Sequence, residues 1–127
     1  MAWAAIPDMF DPFEPFSKGL PTPGKNWIEM AKLTAKKGEK DDGFGWSVSL
    51  YGDYALVGSP RDDDNGFGSG SAYVFHHQPK GEWNEVAKLT AKDGGNNDHF
   101  GWSVSLYGDY ALVGAYNDDE KGFGSGS

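Results

Sequence analysis

Two short acidic loops hold the residues best suited to bind a cation. Their sequences are RDDDNG at residues 61–66 and NDDEKG at residues 117–122. Carboxylate and amide oxygens suit calcium, which takes about six to eight such ligands. Consecutive carboxylates in a loop are more often solvated charges and turn formers, and we favour that interpretation. The residues that could still converge on a weakly bound cation are Asp62, Asp64, Asn65, Asp118 and Asp119.

The sequence offers no recognisable catalytic group. It contains no nucleophile elbow, no HExxH, no phosphate-binding glycine loop with its lysine, and no cysteine. His76 and His77 are neighbours on a predicted strand, so their side chains point to opposite faces. His99 lies in a loop, and its counterpart in the first copy of the repeat is Gly43. We therefore expect neither enzymatic activity nor a transition-metal site.

A repeat with a period of 56 residues organises the chain. Residues 44–58 read FGWSVSLYGDYALVG, and residues 100–114 repeat this sequence unchanged. The flanks recur at the same offset: WIEMAKLT at residues 27–34 becomes WNEVAKLT at 83–90, and GFGSGS occupies both 66–71 and 122–127. A fixed period of this size is typical of repeat architectures, in which stacked neighbours bury one another's apolar faces.

Each repeat predicts four short strands, which we name A to D. Strand A covers residues 44–51, where large apolar residues alternate with Gly and Ser. Strand B covers residues 54–58 and is apolar on both faces, as expected of a strand that is covered on both sides. Strand C covers residues 71–77. Strand D covers residues 83–91, and its charged Glu85 and Lys88 are typical of an edge strand.

The links between these strands favour a propeller over a helical fold. Tyr51, Gly52 and Asp53 predict a tight turn between strands A and B. The 19 glycines and the frequent turn signals give little support to any helix. A four-stranded antiparallel sheet that recurs in tandem indicates the blades of a β-propeller.

These residues resemble the FG-GAP repeat, the blade unit of integrin α-chain β-propellers and of many bacterial and marine secreted proteins. The FG dipeptides begin at Phe44 and Phe100, and the GAP positions read GSP at residues 58–60 and GAY at residues 114–116. The segment GSGSAYVF at residues 68–75 is similar to the short-hairpin bacterial type. The resemblance covers residues 27–127. It implies an all-β fold of tandem four-stranded antiparallel blades, in a protein at the cell surface or outside the cell.

The resemblance also suggests ligands. In integrin-type blades the calcium loop lies between strands A and B, but here that link offers one carboxylate, Asp53, so the family's usual cation motif is absent. Some propeller lectins resemble these repeats and bind sugars by stacking on Trp or Tyr. The candidate sugar-binding residues are Trp27, Trp83, Tyr51 and Tyr107, and the two tryptophans, at the starts of outer strands, are expected to be better exposed than Trp46. Trp46 shares its face with Phe44, Val48 and Leu50, which favours packing between blades instead.

We divide the chain into an N-terminal arm, residues 1–26, and a repeat region, residues 27–127. Repeat 1 covers residues 27–82, and a truncated repeat 2 covers residues 83–127. In the arm, Phe10, Phe13 and Phe16 alternate with prolines, which disfavour helices and central strands. The arm is either disordered, or it docks in an extended form into a hydrophobic groove of its own subunit or a neighbouring one. Its start lacks the basic and apolar segments of a signal peptide.

The phase of the repeats predicts incomplete blades. The chain begins with a lone strand D, continues through one complete set A to D, and ends after strands A and B and their loop. A closed propeller needs about four to eight blades, and unpaired strand edges invite pairing with another chain. Either the chain is a piece of a longer propeller, or subunits complete one another's blades in a trimer, a tetramer or an open filament. In the second case the missing strand C could come only from the arm, whose prolines make it a poor strand.

Charge and length restrict the partners of this chain of 127 residues. A net charge of −8 argues against nucleic acid and anionic membranes, and no apolar run is long enough to span a membrane. The sequence therefore favours a non-enzymatic structural or adhesive propeller module that associates with itself. The alternatives are a lectin-like module that binds glycans, and a fragment of a larger secreted FG-GAP protein.

Overall fold

The computed structural model describes residues 1–7 and 26–127. Within these residues the chain is all-β and forms three antiparallel sheets, with strand orders β1-β2, β3-β4-β5-β6 and β7-β8. The strands are β1 (Ala2–Pro7), β2 (Trp27–Leu33), β3 (Ser47–Tyr51), β4 (Tyr54–Ser59), β5 (Ser71–His77), β6 (Trp83–Leu89), β7 (Phe100–Tyr107) and β8 (Tyr110–Ala115). The predicted fold class, tandem antiparallel blades that are incomplete in one chain, is confirmed.

The four-stranded sheet is a complete blade, and its strands β3 to β6 are the predicted strands A to D. Strand β5 has the bounds predicted for strand C, and the charged strand β6 lies at the edge of the sheet, as predicted. Strand β3 begins at Ser47, later than predicted, whereas the equivalent strand β7 begins at Phe100, and a turn precedes β3. The Trp46 N–H donates to the carbonyl oxygen of Gly43 at 3.0 Å, and Gly45 has a φ of 91°, which glycine adopts without strain.

The link between strands A and B is a tight turn in both copies, as predicted. Tyr51 pairs with Tyr54 at the end of the first hairpin, and the two glycines of these turns have the same φ of 55°. A Cβ at either glycine would meet no atom within 4 Å, so the backbone conformation, and not a lack of space, requires glycine there.

Strand β1 takes the place of strand C beside β2. Ala2 pairs with Leu33 and Trp3 with Lys32, in the register by which Ala72 pairs with Leu89 and Tyr73 with Lys88. Both strand pairs also carry a register shift at the equivalent step. The expectation that the first strand D has no partner strand is therefore wrong. Proline does not prevent this pairing, because Pro7 is the last residue of β1. The phenylalanines of the arm lie outside the described residues, and so does the predicted docking of the arm into a hydrophobic groove.

The face of each blade that looks toward the preceding repeat is called its N-side face. In the complete blade, the two central strands, β4 and β5, pack on this face against β1 and β2. Phe44 adds edge-on contacts to Tyr73 and Phe75, with ring centroids 5.4 and 6.0 Å apart. The buried core cluster consists of Ala2, Leu33, Ala55, Val57, Tyr73 and Phe75. The main core of the described chain thus lies between the first half-blade and the complete blade.

The opposite face, called the C-side face, packs on β7. Ser47 Oγ donates to the carbonyl oxygen of Gly101 at 2.8 Å, and the Leu106 N–H donates to Ser49 Oγ at 2.9 Å. Leu56 is fully buried on this face. The apolar residues that β7 turns toward it, Trp102, Val104 and Leu106, are half-buried. At this contact, the large apolar side chains of β7 thus pack against the small serine side chains on the C-side face of the complete blade.

The same apolar stripe is exposed in the first copy. Trp46, Val48 and Leu50 are 49%, 58% and 60% exposed, although the sequence predicts that this stripe packs between blades. The prediction is correct for β7 and wrong for Val48 and Leu50 of β3, whereas the half-exposed Trp46 ring still contacts Trp102 of the next blade. The reason is that the half-blade β1-β2 supplies only outer strands, which cover β4 and β5 but leave the inner strand β3 uncovered. Strand β8 shows the converse, since its Leu112 is 74% exposed whereas the equivalent Leu56 is buried.

Candidate functional site

The first acidic loop converges on a lysine. Asp62 is buried, and its Oδ2 accepts hydrogen bonds from Tyr73 Oη at 2.6 Å and from Lys88 Nζ at 2.9 Å. The carboxylate of Asp64 contacts the same ammonium group. Tyr73 and Lys88 face the loop together because they are direct cross-strand partners on β5 and β6. The loop is thereby fixed to the outer half of its own blade.

This cluster shifts the pKa values of its members. Burial alone would raise the pKa of Asp62, but the hydrogen bonds from Tyr73 and Lys88 outweigh it and hold that pKa below its usual value. Burial, together with the hydrogen bond to Asp62, raises the pKa of Tyr73 to about 12. Burial would lower the pKa of Lys88, but its bonds to Asp64 and Asp62 raise it. At neutral pH Asp62 is therefore a carboxylate, Lys88 an ammonium and Tyr73 a neutral phenol.

The remaining candidate cation ligands have protein partners of their own. Asn65 Nδ2 donates to the carbonyl oxygen of Ala91 at 3.0 Å. In the second loop, Asp118 accepts bonds from Ser127 Oγ at 2.6 Å and from the Glu120 N–H at 2.9 Å. Asp119 accepts a bond from the Gly124 N–H. The structure thus brings Asp62 and Asp64 together, but around Lys88. In residues 1–7 and 26–127, no group of three or more acidic or histidine side chains converges as a metal site.

Sequence reasoning missed the loop-fixing role of Asp42. It lies just before the FG dipeptide and is buried. Its Oδ2 accepts a bond from the Glu39 N–H at 2.8 Å, while its carbonyl oxygen accepts bonds from the Arg61 N–H and from Ser59 Oγ. In the second copy, Asp98 accepts a bond from the Gly95 N–H at 2.6 Å. The available signal is the same acid at equivalent positions of two loops that differ at most of their other positions.

Two of the candidate sugar-binding residues come together. The rings of Tyr51 and Tyr107 lie 5.2 Å apart, and both are exposed. Because they occupy equivalent positions in adjacent blades, they form a row across the ends of the inner strands. A second such row joins Trp46 to Trp102 at 4.7 Å and Trp102 to Tyr116 at 4.5 Å.

The other two candidates, Trp27 and Trp83, differ from each other. Trp27 is 69% exposed, as the sequence predicts. The prediction is wrong for Trp83, which is partly buried, packs on the core cluster and contacts the ring of His77 at 4.9 Å. Its position follows from the pairing of β6 with β5, which sets Trp83 opposite His77. No ring contact between the two tryptophans occurs in the described part of the chain.

The two adjacent histidines have separate surroundings, as predicted. His76 lies 4.6 Å from the ring of Tyr54 and 3.0 Å from Gln78 Nε2. His77 packs on Trp83 instead. His99 has a φ of 60° at the position where the first copy has Gly43 with a φ of 74°, so this turn demands a left-handed residue in both copies.

A glycine-rich loop joins the complete blade to the next one. The carbonyl oxygens of Phe67, Gly68 and Ser69 accept bonds from the backbone N–H groups of residues 97, 99 and 100, at 2.7, 3.1 and 2.9 Å. The equivalent loop of the second copy ends at Ser127, and Phe123 in that loop is 97% exposed. Backbone pairing between loops is therefore part of the contact between successive blades.

Comparison with known families agrees with this geometry. A model of the FG-GAP repeat matches residues 27–75 and 83–127, which together exceed half of the chain. The chain belongs to the FG-GAP repeat family. It is therefore a β-propeller-like module. No curated protein matches it, and no helix able to cross a membrane occurs in the described residues.

The motif glycines of this FG-GAP chain sit where blades touch. A Cβ at Gly101 would overlap the carbonyl oxygen of Ser71, and a Cβ at Gly45 would overlap that of Met1. Gly58, the first GAP glycine, lies so close to the backbone of Gly101 that a side chain there would clash with it. The FG and GAP glycines thus allow the close approach of neighbouring FG-GAP repeats.

Two faces of the FG-GAP module combine apolar character with exposure. The first is the N-side face of β3, with Val48 and Leu50. The second is the C-side face of β7 and β8, a concave surface to which Ser103, Leu112 and Gly114 contribute. Each face has an equivalent inside the chain, at the contact between the complete blade and β7. These two faces are the main candidate functional surfaces.

Proposed function

We propose that this FG-GAP chain is a non-enzymatic structural or adhesive module that associates with copies of itself through its blade faces. The observation that carries the proposal is the internal contact between β3 and β7. Residues 44–58 and 100–114 have identical sequences, so the exposed N-side face of β3 has the same residues as the face that β7 uses in this contact. The exposed C-side face of β7 likewise has the same residues as the C-side face of β3.

The exposed faces are chemically suited to such a contact. Val48, Leu50 and Leu112 are each more than half exposed, and contiguous exposed apolar surface is typical of interaction sites. Ser103 and Ser105 repeat the hydroxyl groups by which Ser47 and Ser49 bond to the next blade. A second copy would therefore satisfy both the apolar and the polar groups of each face.

The contact is heterologous, because different faces of the two copies meet. Repetition of a heterologous contact gives a closed ring when the rotation closes and an open filament when it does not. Each chain supplies the strands of two blades, so a trimer or a tetramer would have about six or eight blades, within the range that propellers use. No cofactor, catalytic residue or nucleic acid takes part in this function, and the expected location is the cell surface or the extracellular space.

A pair of matched variants tests the proposal. Val48→Glu places a charge on the N-side face, whereas Val86→Glu places the same charge on β6 at a similar exposure, 53% against 58%. In sedimentation velocity experiments, we expect Val48→Glu to shift the chain toward the monomer and Val86→Glu to leave assembly unchanged. Equal assembly of both variants would contradict association through this face.

Carbohydrate binding is a second candidate, favoured by the exposed contact between Tyr51 and Tyr107. Aromatic rings aligned along a surface offer stacking platforms for sugars. A glycan array probed with the intact chain and with Tyr107→Ala tests this function. Glycan signals that disappear in the variant would support the lectin-like function, and the absence of signal from the intact chain would reject it. Calcium binding at the acidic loops stays a prediction, and a cation there would have to compete with Lys88 for Asp62 and Asp64.

A further inference from the structure

The first and last half-blades of the chain are complementary parts of one blade. Strands β1 and β2 pair in the register of strands C and D of the complete blade. Strands β7 and β8 pair in the register of strands A and B, since Ser103 lies opposite Gly114 as Ser47 lies opposite Gly58. We infer that β7 and β8 of one copy and β1 and β2 of a second copy form one composite blade, in which β1 is added to the outer edge of β8. This inference rests on the proposed self-association and specifies the strand and the register that carry it.

The register of the composite blade follows from the complete blade. There, Ser59 pairs with Ser71, Gly58 with Ala72 and Leu56 with Val74. At the edge of β8, Ala115 already exchanges both backbone hydrogen bonds with Ser127, at 2.6 and 2.8 Å, so Ser127 takes the position of Ser71. Strand β1 of the second copy continues from the next position, which is that of Ala72. Because Met1 of the second copy and Ser127 both correspond to Ser71, one of these two terminal residues moves aside when the composite blade forms.

The composite register therefore sets two pairs of residues opposite each other. Ala2 of the second copy is the equivalent of Ala72, since Ala2 pairs with Leu33 as Ala72 pairs with Leu89. Gly114 then faces Ala2 of the second copy. Two residues further along each strand, Leu112 faces Ala4 of the second copy.

Side-chain size agrees with this register. The residue beside Gly58 is Ala72, which is completely buried. At the equivalent position β1 also has an alanine, Ala2, which is 4% exposed in its own half-blade. The residue opposite the GAP glycine of strand B is thus alanine in both blades: Ala72 opposite Gly58, and Ala2 of the second copy opposite Gly114.

Charge complementarity identifies the partner as a second copy of this chain. In the complete blade, buried Asp62 binds Lys88, whose ammonium lies 5.1 Å from the centre of the Tyr73 ring. In the first half-blade, the Lys32 ammonium lies 4.7 Å from the centre of the Trp3 ring. Lys32 and Trp3 are thus the equivalents of Lys88 and Tyr73. In the last half-blade, Asp118 is the buried equivalent of Asp62. A composite blade would bring Lys32 of the second copy to Asp118.

Disulfide trapping tests the register directly. The chain has no cysteine, so Ala4→Cys and Leu112→Cys can each be introduced singly and the two variants, carrying different mass tags, mixed and oxidised with oxidised glutathione. Directly opposite residues of antiparallel strands have Cα atoms about 4.5 to 5.5 Å apart, within the range that a disulfide spans. We expect a mixed disulfide that contains one chain of each kind.

A register control uses a residue on the same strand and face. Tyr110, like Leu112, is highly exposed on β8, but it would lie diagonal to Ala4 of the second copy. Diagonal neighbours have Cα atoms about 7–8 Å apart, beyond the range of an unstrained disulfide. We expect Tyr110→Cys mixed with Ala4→Cys to give little or no mixed disulfide.

The charge pair supplies a test that needs no cysteine. Lys32→Glu would place two carboxylates together in the composite blade, and we expect it to weaken association by about tenfold or more, whereas Lys37→Glu on a nearby loop has little effect. If the intact chain assembles, but Lys32→Glu has no effect and no mixed disulfide forms in the stated register, the composite blade is wrong and association through blade faces stands. If the intact chain stays monomeric, both proposals fail.

Discussion

Ser47 Oγ donates a 2.8 Å hydrogen bond to the carbonyl oxygen of Gly101, which joins the innermost strand of one blade to that of the next. The equivalent serine of the second copy, Ser103, lies on the C-side face of β7 beside Leu112 and Gly114. The bond from this serine to the next blade is therefore formed once inside the chain, by Ser47. The equivalent donor, Ser103, lies on the surface, where a second copy could supply the acceptor. This relationship links the packing of the fold to the proposed association.

Substitutions at the two GAP glycines, Gly58 and Gly114, should distinguish effects on folding from effects on association. A Cβ at Gly58 would overlap the backbone of Gly101, whereas the three atoms nearest to a Cβ at Gly114 all belong to Ser103 in its own hairpin, the nearest being its movable hydroxyl. We expect Gly58→Ala to lower the free energy of unfolding by about 1–3 kcal/mol, as overpacking does, when measured by urea denaturation.

Gly114→Ala is the matched variant. We expect it to change the free energy of unfolding by less than about 1 kcal/mol and yet to weaken self-association, because the second copy approaches at that position. If Gly58→Ala were no more destabilising than Gly114→Ala, the close inter-blade approach would be wrong.

The carboxylate of Asp62 stabilises the outer half of the complete blade. Asp62→Asn leaves Tyr73 and Lys88 with a weaker acceptor, and we expect a loss of about 1–3 kcal/mol in the free energy of unfolding. Asp118→Asn, measured at concentrations where the chain is monomeric, is the control, because within the described residues of one chain Asp118 binds a hydroxyl and a backbone N–H, and no ammonium. A loss at Asp118 as large as that at Asp62 would show that the lysine contributes little.

Acid should weaken the fold through the same residue. The pKa of Asp62 is lower in the folded than in the unfolded chain, so its contribution is present above the unfolded value of about 3.9 and is lost as the pH falls through the folded value. The difference in stability between the unsubstituted chain and Asp62→Asn should therefore shrink as the pH falls below about 4. Asp42, whose pKa is raised mainly by burial, titrates in the opposite sense and is present in both proteins, and Asp62→Asn removes from it only the smaller effect of the Asp62 charge. A pH-independent difference would contradict this role.

High pH should lower the stability of the fold through the ionisation of Tyr73. Its pKa is raised to about 12 in the fold, so its contribution is complete below the unfolded value of about 10 and is lost as the pH rises toward the folded value. The free energy of unfolding, measured by denaturant titration, should fall across this interval in the unsubstituted chain. Tyr73→Phe should flatten the fall, whereas Tyr107→Phe should not; the same slope in all three proteins would reject the assignment.

Local patterns were enough to predict the elements of the blade. Strand C was predicted with the bounds of β5, and the A–B turn was recognised from Gly52 and Asp53, because period-2 alternation and turn residues act within a few positions of the chain. The FG-GAP motif likewise depends on glycines whose role is local and steric.

Long-range pairing could not be predicted in the same way. Strand β1 shares no obvious sequence with strand C, and only its register beside β2 shows the equivalence of Ala2 and Ala72. The partner of Asp62 was also missed, because Lys88 lies on a strand whose charges predict only an exposed edge. The exposure of Trp46 depends on which strands cover it, and no pattern within its own segment records this.

Native mass spectrometry of the intact chain, from micromolar to submillimolar concentration, tests head-to-tail association most directly, with electron microscopy of the same samples. We predict species that are whole multiples of 13.8 kDa and that end in a closed trimer or tetramer, or else open filaments visible in the microscope. A folded monomer at every concentration would contradict the proposed association.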